Sequence, residues 1–219
     1  MFTVTEYFTS INGEGPRSGE PAVFVRFRGC NLCCSFCDTR WSCTDSAPAR
    51  LMSADEIVDK VIKTGIKNVT LTGGEPLLQK ELYVLTDSLI NLSRRVEIET
   101  NGSLPIDVLA ARKLRPVFTM DYKLPSSGME DKMCLENLRL LKAQDTVKFV
   151  TGSREDMERA KEIIIKYDLT KHCHVYFSPS FGKTEPKEIV DFMLENKLND
   201  VRLQLQIHKY IWEPDKRGV

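Results

Sequence analysis

Four cysteines stand within eight residues of this chain, at Cys30, Cys33, Cys34 and Cys37. Cys30, Cys34 and Cys37 have the spacing C-x3-C-x2-C, which can place three thiolates on a cubane iron–sulfur cluster and leave the fourth iron without a protein ligand. An iron without a protein ligand can bind and activate a small molecule. The spacing Cys30-x2-Cys33-x3-Cys37 is the alternative, and we expect Cys33 to lie beside the ligand loop instead.

Two other uses of clustered cysteines fit the sequence less well. A structural zinc site needs four ligands, commonly from two C-x2-C pairs, and no second pair occurs. Disulfides belong to oxidising compartments, and residues 1–21 contain no basic segment followed by an apolar core. No apolar run approaches the roughly 18 residues of a membrane helix. We therefore expect a cytoplasmic protein whose thiols are reduced.

The overall charge of the chain excludes one class of partner. The 219 residues include 31 lysines and arginines together and 31 aspartates and glutamates together, so the net charge is zero. Such a chain has no electrostatic footprint for nucleic acid or for an anionic membrane surface. The length favours a single domain over residues 1–219. We expect segment 1–21 to bind substrate and the tail 206–219 to close the site.

Apolar patterning predicts strands that alternate with helices. The predicted strands are 22–27, 69–71, 96–98, 117–120, 147–150, 174–177 and 201–205, and the predicted helices are 53–63, 79–92, 106–112, 133–142, 153–167 and 184–196. Consecutive parallel strands need such crossovers. A complete β/α barrel uses about 250 residues. We therefore predict an α/β fold, an incomplete TIM-like barrel of six or seven mainly parallel strands that is open at one side.

Polar and glycine-rich motifs follow the predicted strands, at the edge where β/α folds bind ligands. The motifs are Thr72-Gly-Gly-Glu-Pro76, Glu99-Thr-Asn-Gly102, Lys123 with Ser126 to Gly128, and Ser178 to Phe181. Glycines permit close approach of backbone to a ligand, and the Glu75 carboxylate can bind an ammonium group. Each motif alone also fits an ordinary turn. Their common position after strands predicts one shared site.

Four further features lie outside these motifs. Asp38-Thr39 offers oxygen ligands to a hard cation such as Mg²⁺, although a capping pair is the alternative. Arg26 and Arg28 share a strand face, so an arginine facing the site would need an anionic partner. The turn 10–15 contains two glycines. His208 begins the tail, where a structural histidine is the commoner reading.

The cysteine triad with Phe36 resembles the signature of the radical S-adenosylmethionine (SAM) superfamily, and Thr72-Gly-Gly-Glu-Pro76 resembles its SAM-binding loop. Trp is common where Phe36 stands. The resemblance implies a [4Fe–4S] cluster on Cys30, Cys34 and Cys37 that binds SAM, and reductive formation of a 5′-deoxyadenosyl radical. It assigns SAM contacts to Phe36, Asp38, Gly73, Gly74, Glu75, Glu99, Asn101, Lys123, Ser126, Ser127, Gly128, Ser178, Pro179, Ser180 and Phe181.

Within the superfamily, the chain resembles the 7-carboxy-7-deazaguanine synthase family. The resemblance rests on Asn-Gly-Glu-Gly15, Phe24-Val-Arg26, Cys37-Asp-Thr39, Glu99-Thr-Asn-Gly102 and the tail from His208 to Arg-Gly-Val219. It implies ring contraction of 6-carboxy-5,6,7,8-tetrahydropterin with loss of ammonia, on the route to queuosine. It also implies that Thr39 ligates Mg²⁺. The implied substrate contacts are Ile11, Asn12, Gly13, Glu14, Arg26, Thr72, His208 and Val219, with Asn12 standing where Gln is usual.

The same resemblance implies an external one-electron donor such as flavodoxin or ferredoxin, and a homodimer. Two other functions remain open at this point. A glycyl-radical-enzyme activase shares the cysteine triad but acts on a protein, and does not need the set Arg26, Thr39 and His208. A non-enzymatic cysteine-rich module would bind zinc and be colourless, whereas an iron–sulfur enzyme is brown.

Overall fold

The computed structural model describes residues 1–219 and contains a sheet of nine strands. The strands are β1 Phe2–Ile11, β2 Pro21–Phe27, β3 Arg50–Met52, β4 Asn68–Gly73, β5 Arg95–Thr100, β6 Val117–Tyr122, β7 Thr146–Thr151, β8 His174–Pro179 and β9 Val201–Leu203. Their order across the sheet is β3-β1-β2-β4-β5-β6-β7-β8-β9. The sheet is open, with β3 and β9 at its edges, as the sequence predicts for an incomplete barrel.

Seven strands, β2 and β4 to β9, run parallel to one another. They overlap the seven predicted strands; the first six extend one or two residues beyond the predicted bounds, and the last ends at Leu203 instead of residue 205. Helical segments connect most of them, because parallel neighbours need a crossover. The carboxyl ends of these strands therefore lie along one edge of the sheet.

The first half of segment 1–21 contradicts the prediction that residues 22–27 form the first strand. Residues Phe2–Ile11 form β1, which pairs antiparallel with both β2 and β3. Only Phe2 and Val4 of this strand are buried, while the residues from Thr5 onward are partly exposed or exposed. Because the apolar alternation stops after Val4, the period-2 signal of a strand is weak there.

The α-helices differ from the predictions mainly in length. They are α1 Ala54–Lys63, α2 Leu82–Asn91, α3 Asp107–Ala110, α4 Asn137–Leu140, α5 Arg154–Lys166, α6 Pro186–Glu195 and α7 His208–Ile211. The predicted helix 133–142 is only four residues long, and its Asn137 side chain binds the backbone of Gly102, Leu104 and Ile106. Leu92 follows α2 and is exposed. No helix is long and apolar enough to cross a bilayer.

Serine residues cap the first turns of two helices. Ser53 and Glu56 make a reciprocal capping box at α1. Ser153 caps α5 by accepting a hydrogen bond from Asp156 N. The carboxylate of Asp156 does not complete a box, because it accepts hydrogen bonds from the backbone of Ser126 and Gly152. Asp156 thereby joins the loops after β6 and β7.

The two faces of the parallel strands differ in chemistry. On β5, Val96 and Ile98 belong to the hydrophobic core between the sheet and the helices, while Glu99 faces the opposite side. On β7, Val147 and Phe149 are in the core and Lys148 faces the opposite side. Successive side chains of a strand alternate between faces, so the sheet places charged groups on its concave inner face. That face carries the candidate site.

Candidate active site

A cavity of about 450 Å³ opens on the inner face, at the carboxyl ends of the parallel strands. This is within the size range of sites for small molecules. The structure brings most of the predicted site residues to its wall: Ile11, Gly13, Glu14, Arg26, Cys30, Cys34, Phe36, Cys37, Asp38, Thr39, Thr72, Gly73, Gly74, Glu99, Asn101, Lys123, Pro179, Ser180, Phe181, His208 and Val219. Outside the wall are Asn12, Glu75, Ser126, Ser127, Gly128 and Ser178.

The cysteine loop is held by backbone contacts, not by regular structure. Ser35 donates from its backbone N to Ser127 O at 3.0 Å and from its hydroxyl to Ser126 O at 2.7 Å. The guanidinium of Arg40 donates to Cys34 O at 2.9 Å. Cys33 is exposed and does not line the cavity. Ser126 and Ser127 therefore support the loop through their carbonyl oxygens and lie behind the cavity wall.

Cys30 receives hydrogen bonds from N–H groups. Leu32 N lies 3.4 Å and Asn101 Nδ2 lies 3.6 Å from its sulfur. Hydrogen bonds to sulfur stabilise a thiolate and are among the features that tune iron–sulfur clusters. The thiols of Cys30, Cys34 and Cys37 all reach the same cavity. This donor set fits a cluster held by three cysteines.

Cys43 is a fourth thiol at this site that the sequence analysis left without a role. It lines the cavity, its thiol donates to Thr39 O at 3.5 Å, and its closeness to Cys30 and Cys37 lowers the pKa of these thiols. Burial raises the pKa of Cys34. Cys43 lies outside the C-x3-C-x2-C spacing, so no sequence pattern marked it. Only the tertiary structure brings Cys43 close to Cys30 and Cys37.

Gly73 and Gly74 pack directly against the backbone that leads into the cysteine loop. A Cβ on Gly73 would lie 2.3 Å from Phe27 O, and one on Gly74 would lie 2.0 Å from Gly29 O. Contacts this close are excluded for any side chain. Both positions therefore require glycine, and both leave backbone atoms facing the cavity.

The structure does not bring the predicted ammonium-binding carboxylate of Glu75 to the cavity. Glu75 is fully buried and accepts hydrogen bonds from Leu77 N, Thr100 Oγ1 and Asn101 N at 3.0, 2.9 and 2.7 Å. Burial raises its pKa to about 7 even though these three donors oppose that change. Its oxygens are occupied by protein groups, so Glu75 joins the loop after β4 to the loop after β5.

The loops after β6 and β8 supply opposite parts of the wall. Lys123 lines the cavity and pairs with Asp121 at 2.8 Å. Ser126 lies behind it, with its hydroxyl 3.3 Å from Ser153 Oγ. Ser178 is buried and contacts Glu14 at 3.5 Å, whereas Phe181 is exposed at the rim. Gly128 has a φ of +72° and ends the turn Pro125–Ser127 without reaching the cavity.

The two ends of the chain meet at the cavity. Gly15 N donates to Gln204 Oε1 at 2.7 Å, and Ile207 N donates to Gly13 O at 3.2 Å. A Cβ on Gly13 would lie 2.1 Å from His208 Nδ1, so the imidazole packs directly on this glycine. Burial lowers the pKa of His208. The predicted substrate segment and the predicted closing tail therefore form one wall.

Asn12 lies behind that wall. Its side chain is 4% exposed, and its Oδ1 accepts from Thr70 Oγ1 at 3.0 Å. Its Nδ2 is buried without a hydrogen-bond partner. Asn12 therefore anchors the turn to β4, and its neighbours Ile11 and Gly13 line the cavity.

The predicted carboxylate-binding arginine faces the cavity. Arg26 Nε donates to Glu6 on the adjacent strand β1 at 2.9 Å, which leaves its other N–H groups free of protein partners. Arg28 lies beyond the end of β2 and binds Asp45 O and Ala47 O instead. Of the two arginines predicted to share a face, only Arg26 lines the cavity. Arg28 instead binds the segment after the cysteine loop.

The tail is fastened over the cavity by its cationic side chains. Lys209 Nζ lies 3.7 Å from Asp38 Oδ2 and 5.0 Å from the centre of the Phe181 ring. The Arg217 guanidinium lies 4.1 Å from the centre of the Trp41 ring. Cation–π contacts of this kind contribute about 0.5–2 kcal/mol each. The terminal residue Val219 reaches the cavity wall.

A chain of charged groups crosses the cavity floor, and sequence reasoning missed its two central members. Lys148 binds Glu14 at 3.0 Å and lies 3.8 Å from Asp121, which in turn binds Lys123 at 2.8 Å. Burial opposes ionisation of Asp121, but Lys123 and Lys148 outweigh it and lower its pKa. Charged residues between apolar neighbours of a buried strand were the available signal.

Comparison with known proteins places this geometry in a family. The chain is 51% identical over 219 residues to a 7-carboxy-7-deazaguanine synthase of Clostridium acetobutylicum, covering 100% of this chain and 99% of the relative. The chain belongs to the 7-carboxy-7-deazaguanine synthase family. A synthase of that name from Chlorobaculum tepidum is 38% identical, over 99% of this chain and 96% of the relative. The radical SAM superfamily model matches residues 24–121.

Solved structures of other proteins have a similar fold. The crystal structure of QueE from Escherichia coli has a TM-score of 0.72 to this chain, with 23% identity and 93% of each chain covered. Archaeal TYW1 has a TM-score of 0.58 at 15% identity, over 82% of this chain and 72% of that chain. These likenesses confirm the incomplete TIM-like barrel of the radical SAM fold. The synthase relatives also disfavour the activase and zinc-module alternatives.

Membership of the family implies a [4Fe–4S] cluster and SAM. Cys30, Cys34 and Cys37 fit the cluster, because all three line the cavity and two N–H groups donate to the sulfur of Cys30. Gly73 and Gly74 fit a ligand that approaches the backbone closely. The residues present therefore suit both groups.

We expect Glu75→Gln to destabilise the protein by about 1–3 kcal/mol. The amide places N–H groups against Leu77 N, Thr100 Oγ1 and Asn101 N, and leaves buried donors unpaired. Urea unfolding of the anaerobic protein measures this free energy. Glu188→Gln, at an exposed position of α6, is the control and should change stability by less than about 0.5 kcal/mol. Equal stability of the two variants would contradict the assigned role of Glu75.

Proposed function

We propose that this protein is a carbon–nitrogen lyase that converts 6-carboxy-5,6,7,8-tetrahydropterin to 7-carboxy-7-deazaguanine with loss of ammonia, in the 7-deazapurine route to queuosine. The observation that carries the proposal is the single cavity that joins the cysteine triad to Arg26 and to buried carboxylates. The relatives named 7-carboxy-7-deazaguanine synthase support the same reaction. Substrate and product differ only by ammonia, so the conversion needs no net oxidant.

The wall opposite the cysteines has groups that suit a carboxylated pterin. The amino and amide N–H groups of the ring need acceptors, which Glu14 and Glu99 offer, and Thr72 extends the same surface. The substrate carboxylate needs a cation, and Arg26 has free N–H groups. We assign ring contacts to Ile11, Gly13, His208 and Val219, which line the cavity. Asn12 would act indirectly by holding the turn, because its backbone N donates to Glu20 O and its backbone O accepts from Gly19 N.

The wall near the cysteines suits SAM. The exposed backbone at Gly73 and Gly74, the Asn101 amide and the ammonium of Lys123 would hold its polar end, while Phe36, Asp38 and residues 179–181 would hold the nucleoside. Glu99 would reach either ligand. Glu75, Ser178 and residues 126–128 would support these contacts from behind. When bound, the cluster and SAM supply the radical that starts the reaction by abstracting a hydrogen atom.

The remaining task of the chain is to position the reacting atoms and exclude water. Stacked Phe8 and Phe24 supply an apolar part of the wall, with ring centres 4.9 Å apart. We propose that tail 206–219 closes the cavity of this single domain, supported by the contacts of Lys209 and Arg217. Orientation in a closed site accelerates reaction without any general base in the first step.

We also propose that Mg²⁺ binds Thr39 together with the substrate carboxylate. The Thr39 hydroxyl lines the cavity, and oxygen ligands suit this ion, which keeps several waters of its own. The metal would orient the carboxylate that Arg26 pairs with. An electron donor such as flavodoxin or ferredoxin, a homodimer and a cytoplasmic location stay predictions from sequence.

The proposed function is tested by anaerobic incubation of the reconstituted protein with SAM, dithionite and 6-carboxytetrahydropterin. We expect mass spectrometry to detect the deazaguanine acid, with ammonia formed in equal amount. Cys34→Ala, which removes one cluster ligand, is the negative control. Absence of the deazaguanine acid from protein that contains iron and sulfide in cluster proportion would reject the function.

We expect Arg26→Ala to weaken binding of the pterin by about 30-fold or more. Removing one partner of a buried charged pair costs about 2 kcal/mol or more, and tenfold in affinity corresponds to 1.4 kcal/mol. SAM cleavage without pterin should be unchanged, because Arg26 lies on the substrate side. Glu6→Gln is the control, since it removes the protein partner of Arg26 and keeps the cation. An equal loss in both assays would contradict this assignment.

We expect Thr39→Ala to weaken the response of product formation to Mg²⁺, because the variant lacks the proposed protein ligand. The concentration of Mg²⁺ needed for half-maximal rate should rise, while the iron content of the protein stays constant. Thr44→Ala, at an exposed threonine of the same segment, serves as the control. A Mg²⁺ titration identical to that of the unaltered protein would remove Thr39 from the ligands.

A further inference from the structure

Lys148 is a buried cation that none of the site assignments uses. It stands on β7 between core residues Val147 and Phe149, and its side chain is 12% exposed. Its ammonium group lies 3.0 Å from Glu14 Oε2 and 3.8 Å from Asp121 Oδ2. A buried ammonium group is retained only where anions compensate its lost hydration. The role of Lys148 therefore depends on the carboxylates around it.

The inner face carries more carboxylates than free cations. Glu14, Glu99 and Asp121 line the cavity, and Glu97 lies below them with its carboxylate hydrogen-bonded by Thr119. Arg26 pairs with Glu6 and keeps free N–H groups, and Lys123 pairs with Asp121. Lys148 is the cation that binds Glu14, and its charge acts on Glu99 more strongly than that of Arg26. His208 is the other titratable group close to Lys148, and lies across from it in the tail.

Lys148 and the carboxylates around it shift one another's pKa. Burial raises the pKa of Glu99, and Lys148 is the largest influence that opposes this change. Burial, with a further contribution from Glu99, raises the pKa of Glu97 to about 7. Burial works against the charge of Lys148, but Glu14, Asp121 and Glu99 outweigh it and raise its pKa. Lys148 thus stays an ammonium group at neutral pH.

We propose that Lys148 is a positioning residue for substrate, whose charge keeps Glu14 and Glu99 available as acceptors for the N–H groups of the pterin ring. This inference rests on the proposed function. Gln206 also fixes the Glu14 side chain, since its Nε2 lies 3.4 Å from the Oε2 atom that Lys148 binds. Oε1 of Glu14 has only a long contact of 3.5 Å with Ser178, so it remains able to accept from a ligand.

The test is the pH dependence of pterin binding to the reconstituted protein, measured anaerobically by calorimetry without SAM from pH 6 to 9. Ionised Glu99 accepts N–H groups, so the dissociation constant should increase as pH falls through the midpoint of its titration. Without Lys148 the Glu99 carboxyl holds its proton to higher pH. We expect Lys148→Met to move the midpoint upward by about 1–3 pH units, the effect of a close opposite charge.

Three further variants make the result specific. Lys148→Arg retains the charge and should keep the original midpoint. Lys148→Met combined with Asp121→Asn removes one competing carboxylate and should return the midpoint toward the original. Asp121→Asn alone should lower the midpoint, and it provides an answer if Lys148→Met does not fold. Lys132→Met, at an exposed lysine, controls for titration of the pterin itself.

The outcomes separate this inference from the proposed function. Binding by the unaltered protein with a midpoint that none of the variants moves would overturn the role of Lys148 and leave the function standing. A loss of affinity in Lys148→Met that is the same at every pH would also overturn it, because a direct contact or a packing defect acts in that way. Failure of the unaltered protein to bind the pterin at any pH would reject the proposed function and this inference together.

Discussion

The close approach of Gly73 and Gly74 to the backbone at Phe27 and Gly29 is the contact on which the site depends. It brings the end of β4 against the start of the cysteine loop, and Glu75 N extends it by donating to Gly29 O at 2.8 Å. No side chain fits in either gap. The same contact places the ligand-facing backbone of these glycines beside the cysteine thiols.

The sheet separates two environments by the alternation of its side chains. Its outer face packs Val25, Leu71 and Ile98 against the helices with no exposure to solvent. Its inner face holds acids and bases that tolerate burial only because they are paired. Glu75 shows the same principle behind the wall, where three donors compensate one carboxylate. The polar inner face thus needs almost every charge it contains, and this makes single substitutions there costly.

Closure of the cavity depends on residues far apart in sequence. The turn after β1 binds the segment after β9 through Gly15 and Gln204, and His208 packs on Gly13. The tail then reaches the residues after the last cluster cysteine through Lys209 and Asp38. An open sheet lacks the strands that would complete a barrel wall. The turn after β1 and the segment after β9 instead both contribute side chains and backbone to the cavity wall.

The sequence by itself predicted the strand and helix alternation, the three cysteines that line the cavity and the positions of the motifs at strand ends, because these depend on local periodicity and spacing. Strand parity could not separate Arg26 from Arg28, and only the family resemblance selected Arg26. Only the tertiary structure placed Glu75 behind the wall, Cys43 beside the cluster ligands and Lys148 between Glu14 and Asp121. Such roles depend on which distant groups share a buried volume, and residue spacing along the chain contains no record of that.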